Sequence, residues 1–103
     1  MNQQQQSTGA QPEFLHNESA KQYELHLDGQ RAALASYRIE GNAMRFTHTE
    51  VQPQHEGQGI GSLLAAYALD DAKTRGLKVV PQCPFIAKYI EKHEEEYGEL
   101  VAS

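Results

Sequence analysis

His55-Glu56-Gly57-Gln58-Gly59-Ile60-Gly61-Ser62-Leu63-Leu64 is the stretch on which the reading of this chain turns. An extended segment ending at Val51-Gln52-Pro53 leads into it, and a helical pattern leads out of it. Glycines at three alternate positions allow conformations that a side chain forbids and let a ligand approach the backbone closely. The unpaired N–H groups of the next helical turn point into the same space. Together they predict an anion site, with a phosphate ester as the expected anion.

Upstream of the loop the pattern has period two. Tyr23, Leu25 and Leu27 alternate with Glu24 and His26, as in a half-buried strand. Asp28-Gly29 signals a hairpin, and Arg31 to Glu40 resumes with Ala33, Ala35, Tyr37 and Ile39 on one face. Gly41-Asn42 signals a second turn. By strand parity Met44, Phe46, His48 and Glu50 then share one face of a third strand, which runs to about Val51. Downstream the period changes: Ile60, Leu63, Leu64, Tyr67 and Ala68 fall at helical spacing. Lys73 and Arg75 complement the end of that helix, and Gly76 stops it. Leu77 to Val80 reads as a short strand ended by Pro81. Crossover logic makes it parallel to Met44–Val51. Pro84 opens a second helix, with Phe85, Ile86, Tyr89, Ile90 and His93 on or near one side. Glu94-Glu95-Glu96 reads as a solvated run at a helix end. The expected class is α+β: an antiparallel meander, then β-α-β, then a C-terminal helix.

With 103 residues, one domain is expected. Residues 1–12 are Gln-rich and read as a disordered tail, leaving 13–103 as the domain. The formal net charge of −5 argues against a general nucleic-acid binder. No stretch is apolar enough to span a membrane, and the N-terminus lacks the pattern of a secretory signal. Cys83 is the single cysteine and can form no internal disulfide, so a reducing, cytoplasmic compartment is expected. His16, His26 and His93 have no metal-ligand spacing with Cys83, and no metal is expected.

Other nucleotide motifs do not fit. A P-loop needs Gly-Lys-Ser/Thr. A Rossmann loop needs Gly where Ser62 stands and an acid at the end of the strand Leu77-Lys78-Val79-Val80. Gly59-Ile60-Gly61 instead resembles the core of the acetyl-CoA signature of GNAT acetyltransferases. His48-Thr49-Glu50-Val51 before it and Val80-Pro81-Gln82-Cys83-Pro84-Phe85 after it resemble a short, single-domain subfamily, the YjdJ type. The resemblance covers the chain from about Phe14 onward. It implies a compact GNAT-like fold with splayed parallel strands and acetyl-CoA as cosubstrate. It places the pyrophosphate on the loop, at Glu56, Gly57, Gln58, Gly59, Ile60, Gly61 and Ser62. It places the pantetheine arm between Thr49, Glu50 and Val51 on one side and Val79 to Cys83 on the other. One departure stands out. The signature's Gln or Arg is Glu56 here, and no Lys or Arg occurs between Arg45 and Lys73. Weak affinity is therefore expected, with Lys73, Arg75, Lys88 or Lys92 as remote cations and Glu56→Arg as the improving change. His93-Glu94-Glu95-Glu96-Tyr97 also departs from the subfamily's usual His-Pro-Glu-Tyr.

Acetyl transfer to an amine needs a proton acceptor, a proton for the leaving thiolate and a polarised thioester. Three residues are catalytic candidates. Cys83, just before a helix N-terminus, is read as nucleophile or acid, with a buried structural cysteine as the alternative. Glu50, by parity beside Met44 and Phe46, is read as a base, with a carboxylate that orders the loop or pairs with a neighbour as the alternative. Tyr89 resembles the acid of many GNAT enzymes, with a packing tyrosine as the alternative. His48 reads as a core or strand histidine, and His55 as a solvated loop histidine that could approach a phosphate when protonated. The expected function is acetyl-CoA-dependent acetylation of an amine on a small molecule or polypeptide. The alternative is a non-catalytic module that binds CoA or a partner. Asp28-Gly29 joins two strands directly where the resemblance to GNAT enzymes implies helices, so an acceptor groove that is open, or completed by another protein, is expected.

Overall fold

The computed structural model describes residues 11–102; the tail expected over 1–12 lies, up to residue 10, outside the described residues. Among the described residues five strands form one sheet in sequence order. They are β1 (Glu13–Asn17), β2 (Gln22–Leu27), β3 (Gln30–Glu40), β4 (Ala43–Val51) and β5 (Lys78–Pro81). The first four pair antiparallel and β5 joins β4 in parallel, as the crossover logic requires. Between β4 and β5 lies helix α1 (Ile60–Thr74). After β5 come α2 (Pro84–Lys92) and a single turn, α3 (Glu94–Tyr97). The hairpins close where the sequence signals them, with Asp28 and Gly29 at φ 52° and 77° and Gly41 at 62°.

β1 is an addition to the strands that the sequence pattern marks. Its Phe14 and His16 pair with Leu25 and Tyr23, and their rings stack on Tyr67 and Tyr23 at 4.7 and 4.2 Å. A hydrogen-bonded cluster ties this edge to α1. Tyr23 donates its hydroxyl to Asp71 at 2.6 Å, and Arg75 reaches the same carboxylate at 2.7 Å. Burial opposes ionisation of Asp71, but the Tyr23 and Arg75 contacts outweigh it and hold its carboxyl below the usual range. Burial and the Asp71 carboxylate push the Tyr23 hydroxyl far up.

The core lies between the sheet and the helices. α1 buries Ile60, Leu64, Ala65, Ala68, Leu69 and Ala72. Its three alanines let the helix sit close to the sheet. Leu64 and Leu69 are fully buried, and each contributes about 1.5–3 kcal/mol of transfer free energy. The helix ends in a Schellman motif: Leu77 N–H donates to Ala72 C=O and Gly76 N–H to Lys73 C=O, both at 3.0 Å, with Gly76 at φ 75°. The acidic run is not merely solvated. It forms α3, which buries Tyr97, and the Tyr97 hydroxyl donates to Asp70 on α1 at 2.8 Å. The chain then bridges Val101 to Val79, and Ala102 N–H donates to Val79 C=O at 2.9 Å. Among the described residues no helix is long and apolar enough to cross a membrane.

Two irregularities open the sheet at one end of β4. Ser36 faces His48 while Tyr37 faces Phe46, so Thr47 is one extra residue. A bulge of this kind reverses the side-chain parity beyond it. And β5 pairs with β4 only from Ala43 to Phe46, while β4 runs on to Val51. Pro81, opposite Phe46, brings no N–H to a ladder. The last backbone link is Cys83 N–H to Phe46 C=O at 2.9 Å, and past it the two backbones part.

Candidate functional site

At the mouth of that opening lies a groove of ≈ 330 Å³. Thr49 and Val51 of β4 line one wall, His55, Glu56, Gly57 and Gly59 of the loop with the start of α1 through Ser62 line the next, and Phe85 of α2 lines the third. The loop glycines differ in what they do. Gly57 and Gly59 have φ of 83° and 79°, where a side chain is strained, and a Cβ on either would meet open space. Gly61 is an ordinary helical residue, but a Cβ there would come within 2.8 Å of Phe85 Cζ and 3.3 Å of Val51 Cγ2. The first two set the loop's path; the third lets two walls of the groove close on α1.

α1 begins without a side-chain cap, and its first bond runs from Leu63 N–H to Gly59 C=O at 3.2 Å. Among the described residues the N–H groups of Ile60, Gly61 and Ser62 therefore lack acceptors, and they line the groove together with the positive end of a fifteen-residue helix dipole. This is chemistry for an anion. Glu56 stands on the rim, and among the described residues no Lys or Arg lines the groove. His55, which also lines it, holds Gln58 Oε1 at 3.2 Å through Nδ1.

Of the residues expected to bind a cofactor, the groove gathers Thr49, Val51, Glu56, Gly57, Gly59, Ile60, Gly61 and Ser62. It does not gather Gln58, Glu50 or Cys83. Glu50 departs from its expected burial. The Thr47 bulge turns it and His48 to the face away from α1, where they pair with each other at 3.2 Å, 62% and 58% exposed. The same bulge turns Thr49 and Val51, paired with Ala35 and Ala33 of the core, toward the groove. Cys83 is buried behind the wall, and its thiol donates to Thr49 Oγ1 at 3.2 Å. Tyr89 lies in an adjoining hollow with Ser62, Phe85, Lys88 and Lys92. Its ring stacks on His93 at 4.1 Å, and burial, then the charges of Glu96 and Asp70, raise its hydroxyl above the usual value. Helical spacing marks Phe85 only as a packing residue, yet it forms a wall of the groove. The available signal is a helical glycine, Gly61, followed by an aromatic after β5. Among the described residues no group of three or more His, Cys, Asp or Glu could hold a metal ion.

The profile of the family described as GCN5-related N-acetyl-transferase matches residues 22–100. No curated protein matches significantly in sequence. Among solved structures, a GCN5-like putative N-acetyltransferase from Staphylococcus aureus is 25% identical, with TM-score 0.65 and 88% of each chain covered. The ribosomal-protein-S18-alanine N-acetyltransferase from Escherichia coli is 20% identical, with TM-score 0.58 over 79% of this chain and 51% of its own. The present chain thus spans about half the length of that enzyme. N-acetylglutamate synthase from Neisseria gonorrhoeae, solved with coenzyme A and N-acetyl-glutamate, is 22% identical, with TM-score 0.53 over 60% of this chain and 16% of its own.

Proposed function

The chain belongs to the GCN5-related N-acetyltransferase family, and on that footing we propose that it is an acetyl-CoA-dependent N-acetyltransferase whose acceptor is an amine. The observation that carries this reading is the set of N–H groups at 60–62, unpaired among the described residues, at the mouth of the opening between β4 and β5. A diphosphate fits those donors, and the gap beside Thr49 and Val51 suits a narrow, uncharged pantetheine arm. Gly57 and Gly59 keep the approach to the donors clear.

Thr49 takes a place in this reading that the motif alone did not assign. Its hydroxyl accepts from Cys83, which leaves its own proton free for an acceptor atom in the groove. A thioester carbonyl is such an acceptor, and a fixed donor there stabilises charge that develops during transfer. Cys83 then acts by orienting Thr49, or by reaching the thioester once that bond is exchanged. Glu50, exposed and paired with His48, does not line the groove, and this reading gives it no part in the transfer. The acceptor amine is that of a small molecule or a polypeptide; the Escherichia coli relative is named for a protein alanine. We assign the chain to the short YjdJ-type subfamily on its three motifs, and to the cytoplasm on its single reduced cysteine.

A second reading has its own support. Glu50, Cys83 and Tyr89 do not converge on the groove, which is what a CoA-binding module without turnover would show. Incubation with acetyl-CoA and a panel of amines, followed by free-thiol release and intact mass, separates the two. Amine-dependent thiol release supports transfer, and an acetyl adduct lost in Cys83→Ala supports a covalent route. Binding with neither supports the module. Absence of CoA binding removes both readings.

A further inference from the structure

The inward residues of β1 match α1 turn by turn. His16 lies against Asp71 and Arg75, Phe14 stacks on Tyr67 at 4.7 Å, and Pro12, just before the strand, lines a cleft with Ile60 and Leu63. Two strand residues advance about 6.6 Å and four helical residues about 6 Å, so a strand can follow a helix with one contact per turn. β1 thus runs as a strap along the flank of α1. It is also the outermost strand, paired only with β2 among the described residues. An element held by so few contacts opens more easily than the rest of the fold.

His16 is the polar fixing point of the strap. Its side chain is 11% exposed, and its ring stacks on Tyr23 at 4.2 Å. Nδ1 lies 3.0 Å from Arg75 Nη2; a guanidinium only donates, so Nδ1 accepts and carries no proton. The proton of the neutral ring is then on Nε2, which donates to the Tyr37 hydroxyl. The groups around the ring are Asp71 and Arg75 from α1, Tyr23 from β2, Tyr37 from β3, and Glu18 and Lys21 from the turn after β1. Burial first, then the Arg75 guanidinium, hold the ring below its ordinary value of 6.5; Lys21 adds to this, while Asp71 and Glu18 oppose it. A second proton, on Nδ1, would set an N–H against the N–H of Arg75 and break that bond.

We propose that β1 is a pH-sensitive strap: His16 latches it to α1 while the ring is neutral, and protonation of the ring releases it. The released ring lies in water and binds its proton at ordinary strength, more tightly than the latched ring does. Opening therefore becomes easier as pH falls below about 6.5. Asp71, held below the usual carboxyl range, stays ionised there, and Tyr23 and Tyr37, both pushed up, stay neutral. Among these four groups only the histidine changes charge. The far end of the strap borders Ile60, which also lines the groove, so release frees one flank of the groove's loop. The latch works the same way whatever the groove binds.

Amide hydrogen exchange read by mass spectrometry between about pH 7.5 and pH 5, corrected for the intrinsic exchange rate, tests this on the full chain. The comparison is His16→Gln, whose side-chain amide can donate to Tyr37 and accept from Arg75 but does not titrate. In the wild type the opening constant of residues 13–17 should rise as pH falls, by up to about tenfold per pH unit, the limit for one proton, while β3 and β4 keep theirs. His16→Gln should give a flat profile. A flat profile in the wild type, the same rise in the variant, or opening of β3 and β4 in step with β1 overturns the strap. Should the variant leave β1 open at every pH, the ring nitrogen shifts of wild-type His16 decide. A neutral ring protonated at Nε2 near pH 7.5 that titrates together with the opening of β1 supports the latch. A ring protonated at Nδ1 instead, or a midpoint at or above about 6.5, overturns it.

Discussion

Gly61→Ala sets two effects against each other, and the structure fixes their sizes. A Cβ at residue 61 lies 2.8 Å from Phe85 Cζ and 3.3 Å from Val51 Cγ2. Carbon atoms prefer separations of about 3.5–4.0 Å, so the ring tip must retreat by roughly 1 Å and the valine by a few tenths. Overpacking of this kind costs about 1–3 kcal/mol. The low end applies, because the obstacle is the far end of a side chain that is already 39% exposed. Replacing a helical glycine by alanine returns about 0.5–1 kcal/mol. Net stability should therefore fall by no more than about 1 kcal/mol, a few degrees in melting temperature. Ligand binding has no such compensation. The displaced ring moves along the boundary between groove and hollow, and CoA affinity should drop on the order of tenfold. Urea melts and titration calorimetry measure the two quantities separately. Gly61→Ala/Phe85→Leu, which restores room, should recover part of the affinity. Wild-type CoA binding by Gly61→Ala would refute the claim that Gly61 and Phe85 shape the groove together. A stability loss above about 3 kcal/mol would refute the claim that the ring can yield.

Three further outcomes rest on the same geometry. Gly59→Ala meets no atom but must hold φ 79°, so it should cost about 1–2 kcal/mol in chemical denaturation while the chain still folds; an unchanged midpoint would mean the loop does not keep its left-handed turn. Glu56→Arg should tighten CoA binding several-fold at low salt, with the gain fading at high salt, and equal or poorer binding would show that the rim charge does not reach the ligand. Glu24 is buried, which opposes its ionisation, but hydrogen bonds with His26, Gln22 and Asn17 outweigh that and pull its carboxyl from 4.5 to about 2. A depressed folded value stabilises above the unfolded one and is lost as pH falls through the folded one. The stability advantage over Glu24→Gln should therefore be full at pH 6 and shrink by roughly 3 kcal/mol toward pH 2; urea melts giving a pH-independent difference would contradict it.

How much of the fold and the site is legible in the sequence depends on whether the relevant contact is local. The loop is legible because Gly57, Gly59 and Gly61 announce backbone requirements directly, and the Schellman end of α1 is legible at Gly76. The parallel pairing of β5 comes from chain geometry alone. β1 is not legible: Phe14-Leu15-His16 is too short to carry a period, and what holds it is non-local, chiefly the contacts of His16 with Tyr23 and of Phe14 with Tyr67. Parity counted straight through Thr47 puts Glu50 on the wrong face, because a bulge is set by the partner strand. Sequence order puts Cys83 at the right height on the opening but not behind Thr49, since the depth of a side chain depends on which neighbour takes its hydrogen.

The extra residue at Thr47 gives β4 two independent phases, and mutational tolerance should record them. In a saturation scan, positions 44 and 46 should accept few substitutions because Met44 and Phe46 are 1% and 0% exposed. Past the bulge the intolerant positions should become 49 and 51, while His48 and Glu50 accept most replacements. The first pair should fail for stability and the second for ligand binding. One strand thus serves two selective pressures without either constraining the other's choice of residue.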